Sequence, residues 1–252
     1  MRKILVASGK GGVGKSTVSI NLSSALNKLG NDVTLVDCNF TTPNIGLYFG
    51  ITKIEKSIHD VLSRKSSNIN DALYLHKSGT KIVPGNISLN SLKSINPDYL
   101  NRKLKRLSSD FVILDSSAGL GRESMSSLKA CDEVLVVLNP ELPSVVDGLK
   151  VVELARRNGK EVIGAVVNRQ RGKLEMKMSK IESLLEVPVV GIIPEDEYVK
   201  KALVKNDSVY NIYPNAKSSK AYKKLAHYIT GNVFYEEKTN LLKDFVDLFK
   251  LK

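Results

Sequence analysis

Ser8-Gly9-Lys10-Gly11-Gly12-Val13-Gly14-Lys15-Ser16-Thr17 decides how the rest of this chain is read. The residues before it, Ile4-Leu5-Val6-Ala7, have the composition of a strand buried on both faces. After it, Val18, Leu22, Ala25, Leu26 and Leu29 recur at helical spacing. A strand, a glycine-rich loop ending in Gly-Lys-Ser, and a helix form the setting in which such a loop holds phosphate. Glycine lets the backbone turn its N–H groups around phosphate oxygens, where a Cβ would intrude. The helix N-terminus adds partial positive charge. The expected phosphate contacts are Gly11, Gly12, Val13, Gly14 and Lys15, with Ser16 and Thr17 opening the helix. Lys15 reaches the outer phosphates, and the Ser16 hydroxyl is a ligand for Mg²⁺.

Two more apolar runs end in a carboxylate, Val33-Thr34-Leu35-Val36-Asp37 and Phe111-Val112-Ile113-Leu114-Asp115. In parallel α/β sheets the ligand crevice lies at the strand C-terminal ends, so Asp37 and Asp115 are predicted near the phosphates and Mg²⁺. Further strands are read at residues 72–75, 81–83, 133–138, 161–167 and 187–193, one or two short helices within residues 51–71, and helices at residues 97–108, 144–158 and 215–230. Strands alternating with helices predict a doubly wound, mostly parallel sheet of about seven strands with helices on both faces. His59 reads as a surface or internally satisfied histidine. Residues 97–108 carry Arg102, Lys103, Lys105 and Arg106, which read as a solvated face.

The 252 residues suffice for one large α/β domain. The apolar and charged contents, 42% and 25%, are those of a globular protein, and no run approaches the ~20 apolar residues of a membrane span. The first apolar run is too short for a signal peptide, so a cytoplasmic chain is expected. A net charge of +12 favours anionic surfaces, membrane or nucleic acid. The two cysteines, Cys38 and Cys131, have no metal-site spacing and read as buried thiols.

The loop carries a second lysine, Lys10, and with it resembles the deviant Walker A family, Lys-Gly-Gly-x-Gly-Lys-Ser/Thr, which includes MinD and ParA. The resemblance implies ATP or ADP with Mg²⁺ as ligands. It also implies an ATP-bound homodimer in which Lys10 acts on the nucleotide of the other subunit. Residues 38–47 resemble that family's Asp-x-Asp segment, with one departure. Asn39 stands where the second aspartate, tied to hydrolysis, usually sits, so binding is expected to survive while the rate of hydrolysis is open. Residues 115–119 resemble its Asp-x-Pro-Ala-Gly loop, with Ser117 in place of the proline, which predicts a less rigid loop. Val166-Val167-Asn168-Arg169 and Gly191-Ile192-Ile193-Pro194-Glu195-Asp196 are similar to archaeal MinD-type ATPases. That likeness implies adenine contacts from Asn168, Pro194 and Asp196.

The ATPase domain is expected to occupy residues 1–231, followed by a linker at 232–237 and an amphipathic helix at 238–252. At 100° per residue, Leu241, Leu242, Phe245, Val246, Leu248 and Phe249 fall within about 160°. A helix of this kind suits a membrane interface. The alternatives are packing on its own domain or on a partner protein. The resemblance implies a switch that binds the inner membrane face reversibly and positions an unidentified protein partner. A ParA-like binder of DNA and an ATP-locked scaffold remain alternatives.

Overall fold

The computed structural model describes residues 1–63, 68–119, 121–172 and 175–232. The predicted tail helix at 238–252 and most of its linker lie outside them. The strands are β1 (Arg2–Ala7), β2 (Val33–Cys38), β3 (Tyr74–Leu75), β4 (Lys81–Val83), β5 (Phe111–Ser116), β6 (Glu133–Leu138), β7 (Glu161–Gln170) and β8 (Val189–Pro194). They form a single sheet in the order β3-β4-β2-β5-β1-β6-β7-β8. Every pairing is parallel except that of β3 with β4. The sheet has eight strands, one of them the two-residue antiparallel edge strand β3, where a strand was read at residues 72–75. Ala72, expected in that strand, closes a 3₁₀ turn over Ile69–Ala72.

Ten α-helices are described: α1 (Lys15–Lys28), α2 (Ile45–Tyr48), α3 (Ile58–Leu62), α4 (Leu100–Leu104), α5 (Arg122–Ala130), α6 (Leu142–Arg157), α7 (Met178–Leu185), α8 (Glu197–Val204), α9 (Val209–Ile212) and α10 (Lys217–Thr230). Period-two side chains on the strands feed two cores. Leu5, Val112, Leu114, Val134 and Val136 pack with α3 to α7 on one face. Ile4, Val6, Ile113, Leu135 and Val137 pack with α1, α8, α9 and α10 on the other. A central strand must be apolar on both sides to do this, which is why these runs are continuous rather than alternating.

Residues 51–71, read as one or two short helices, hold α3, a turn and a half whose start is fixed by a capping box between Ser57 and Asp60, and reach into the 3₁₀ turn at Ile69–Ala72. The helix read at 97–108 shortens to α4, because Asn96-Pro97 sets up a 3₁₀ turn first. Helix α6 begins two residues earlier than expected, with proline in its first turn, where a missing N–H costs nothing. Among the described residues, no helix is long and apolar enough to cross a membrane.

Candidate nucleotide site

Strand β1 lies at the centre of the sheet between β5 and β6, so the loop it feeds opens at the crevice above the strand ends. Gly14 caps α1 with φ of 96°, a left-handed conformation that L side chains rarely adopt. Gly9 is required for a different reason. A Cβ there would sit 2.2 Å from the carbonyl oxygen of Asp147, so the loop backbone presses directly on α6. The Lys15 ammonium is buried and donates to Ser8 Oγ at 3.0 Å, and Ser8 Oγ donates to the Lys10 carbonyl at 2.7 Å. Burial lowers the Lys15 pKa, while the Asp115 carboxylate opposes the shift. Lys10 differs sharply: it is exposed, and its ammonium has no hydrogen-bond or ion-pair partner among the described residues.

Asp37 and Asp115 are register neighbours on β2 and β5, and both are buried. Asp115 accepts from Ser19 Oγ at 2.9 Å and also from Ser16. Burial raises its pKa, against the pull of these hydroxyls and of Lys15. Burial and the Asp115 charge push Asp37 up to about 8, although three backbone N–H groups oppose the shift. Two buried carboxylates beside the Ser16 hydroxyl are an all-oxygen donor set. That set fits Mg²⁺, which binds through one or two carboxylates and completes its shell with phosphates and water.

The pH dependence follows from Asp37. Without Mg²⁺ and nucleotide, the folded chain keeps this proton up to about pH 8, whereas the unfolded chain releases it near pH ~4. The folded state therefore binds more protons in that window, and its stability falls as pH rises through it. Thermal melts between pH ~5 and ~8.5 should show a Tm that declines more steeply than in Asp37→Asn. Equal slopes in the two proteins would contradict the assignment.

The segment after β2 is fastened at several points. Asp37 accepts from the backbone N–H groups of Asn39 at 3.1 Å, Asn44 at 3.0 Å and Ile45 at 3.1 Å. Asn39 Nδ2 donates to the Thr42 carbonyl at 2.7 Å, and its Oδ1 accepts from Thr42 Oγ1 at 3.1 Å. Glu123, in the first turn of α5, accepts from the Phe40 N–H at 3.1 Å and from the Thr41 hydroxyl. His59 Nδ1 accepts from the Asn86 N–H at 3.0 Å, which leaves Nε2–H to donate to the Phe40 carbonyl at 2.9 Å. Burial lowers its pKa, so this satisfied histidine stays neutral at neutral pH.

Residues 4–209 match the CobQ/CobB/MinD/ParA nucleotide binding domain family. The chain belongs to the MinD/ParA family of nucleotide-binding ATPases. It is 38% identical over 253 residues to an uncharacterised ATP-binding protein of Methanocaldococcus jannaschii, covering 98% of this chain and 96% of that one. It is 31% identical over 260 residues to the septum site-determining protein MinD of Thermotoga maritima, covering 98% and 93%. The solved structure of MinD complexed with Mg-ADP from Pyrococcus horikoshii superposes with a TM-score of 0.86 at 29% identity, covering 96% and 98%.

The residues expected at adenine, by likeness to MinD-type ATPases, have internal partners. Asn168 is buried and donates from Nδ2 to the Val13 carbonyl at 2.7 Å, bracing the phosphate loop from behind. Its Nδ2 lies 2.2 Å from where a Cβ on Gly14 would stand. Asp196 caps α8 through the Tyr198 N–H at 3.0 Å and accepts from the N–H and hydroxyl of Ser218 at 3.1 and 2.8 Å. Both of its oxygens are engaged in joining α8 to α10. Pro194 ends β8 and is half-buried. Ser117, in the loop where the MinD/ParA pattern has proline, pairs its hydroxyl with Ser124 Oγ at 2.9 Å. Cys38 and Cys131 are free and buried, as expected.

Sequence reasoning missed Glu123 and Ser19. An acidic residue two positions after Gly121 is a usable sign of a helix start, but nothing local ties it to Phe40. Ser19 lies one turn after Lys15 on the same helix face, and that spacing was the available signal for its place beside Asp115.

Proposed function

We propose that this chain is an ATP-driven switch that dimerises around two nucleotides, associates with an anionic membrane surface, and positions a partner protein. The observation that carries this reading is the contrast between the two loop lysines. Lys15 is folded inward on Ser8, whereas Lys10, on the same loop, is exposed and without a partner among the described residues. A second subunit brings a phosphate group within reach of such a lysine. The chemistry is positional and electrostatic. Amides of residues 11–15 and the Lys15 ammonium hold the phosphates, Ser16 and the carboxylates of Asp37 and Asp115 hold the metal and its water shell, and Lys10 meets the charge that develops on the partner's nucleotide. When bound, Mg²⁺ would supply neutralisation of phosphate charge at this site. Similarity to septum site-determining MinD supports a role in spatial positioning. Residues 238–252, with their apolar arc, are the proposed membrane contact.

Lys10→Ala separates binding from turnover. ATP affinity should stay within a few-fold of wild type, while turnover per molecule falls by about 10³ and loses its rise with protein concentration. Turnover that is unchanged in this variant, or independent of concentration in wild type, would remove the shared site. Anionic liposomes should sediment the chain in ATP more than in ADP, and equal sedimentation would remove the membrane role.

A further inference from the structure

Hydrolysis of a bound nucleotide needs an oxygen that accepts from the attacking water and so aims it at phosphorus. Few side chains in this crevice are free to do so. Asp37 and Asp115 are the carboxylates fitted to the metal, and Asp37 already accepts from three backbone N–H groups. Asn39 lies two residues beyond Asp37, but its amide serves the turn in which it sits. Its Oδ1 accepts from the Thr42 N–H at 3.4 Å and from Thr42 Oγ1 at 3.1 Å, which uses both lone pairs. Its Nδ2 donates to the Thr42 carbonyl at 2.7 Å. An amide held in this way has no acceptor left for a water.

A third carboxylate reaches the same segment from another element. Glu123 lies in the first turn of α5. Its Oε2 accepts from the Phe40 N–H at 3.1 Å, and that nitrogen is joined covalently to the carbonyl carbon of Asn39. Its Oε1 accepts from the Thr41 hydroxyl. Each carboxylate oxygen has two acceptor positions, so one on each remains for water. The loop that leads into α5 lies against the phosphate loop. The Gly119 N–H donates to the Ser8 carbonyl at 3.2 Å, and a Cβ on Gly11 would stand 3.8 Å from Ala118 Cβ. Glu123 and residues 39–41 therefore share one rim of the crevice. Because the half-buried carboxylate is bonded to that segment, it keeps its place beside residue 39 when the segment moves.

We propose that Glu123 is the catalytic carboxylate of ATP hydrolysis in this chain, orienting the attacking water beside residue 39. The water oxygen bonds to the γ-phosphorus while the bond from that phosphorus to the β–γ bridging oxygen breaks, its electron pair leaving with ADP. One water proton passes to Glu123 and on to solvent, and the other stays on the released phosphate. The assignment rests on the ATP turnover proposed above.

The test measures turnover over a range of protein concentration, and ATP affinity by competition with a fluorescent nucleotide. Glu123→Gln should lower kcat by about 10²-fold, the lower end for a positioned carboxylate, with ATP affinity within about twofold of wild type. Thr41→Val, which frees Oε1 and keeps the carboxylate, should hold kcat within about threefold. In an Asn39→Asp background, which carries a carboxylate of its own, Glu123→Gln should cost less than about threefold. A Glu123 that only fastens the segment would give the opposite pattern. Thr41→Val would then mimic Glu123→Gln, and the loss would be the same in both backgrounds. Either result overturns the assignment, as does equal turnover in wild type and Glu123→Gln. A wild type that binds ATP without turnover at any concentration also overturns it, while nucleotide-driven dimerisation would stand. Failure to bind ATP would overturn the function proposed above as well.

Discussion

Lys15→Ala is expected to weaken ATP binding by at least about 10², a loss of roughly 3 kcal/mol, the upper end for hydrogen bonds to charged groups. The size of the effect comes from what surrounds the ammonium. It is buried, and the first turn of α1 holds no acidic residue to compete for it. It is also the cation set against Asp115, so its removal leaves the paired carboxylates of β2 and β5 facing incoming phosphates with one positive charge fewer. Titration calorimetry with Mg²⁺ and ATP measures the loss, with circular dichroism as a check on folding. The variant also loses the cation set against buried Asp115, so a lowered Tm with retained folding is the expected companion result. An affinity within tenfold of wild type would mean that backbone amides and the helix terminus hold the nucleotide unaided.

Asn39→Asp is expected to raise turnover by about 10²-fold, the lower end of what a positioned carboxylate contributes to proton transfer. Asn39 is held by a bond only an amide can make, from Nδ2 to the Thr42 carbonyl. A carboxylate cannot donate there, and its charge would face that carbonyl's own partial charge, so the side chain is released toward the phosphates. The backbone N–H of Asn39 remains bonded to Asp37, which keeps the start of the loop in place. Turnover should be measured against protein concentration, with and without anionic liposomes, in both chains. Activity confined to the variant, with tight ATP binding in each, would mean that the wild-type protein rests in its ATP state until a partner releases it. Equal turnover would make the difference at this position inconsequential.

Lys15, Asp37 and Asp115 were legible because each sits at a place the sequence marks on its own, a glycine loop or the end of an apolar run. The doubly wound sheet followed from the same runs. What was not legible depends on contacts between distant segments. The hydrogen bond from Asn168 to the Val13 carbonyl spans 155 positions and has no local sign in the sequence. Glu123 reaches Phe40 across 83 positions, from a serine-rich helix with too few apolar residues for its period to stand out. Helices α7 and α8 were missed, being two turns each and amphipathic, too short for a periodic pattern to assert itself. Strand β3 was placed partly in a turn because two residues cannot show an alternation.

The Glu123 carboxylate holds both Phe40 and Thr41 from the first turn of the helix that follows the 116–121 loop. In thermodynamic terms the two segments are coupled through one carboxylate, so a displacement of either changes the bonding of the other. Substitutions at Thr41 and Glu123 should accordingly be non-additive in a double-mutant cycle, whereas each combined with a change on β8 should simply sum.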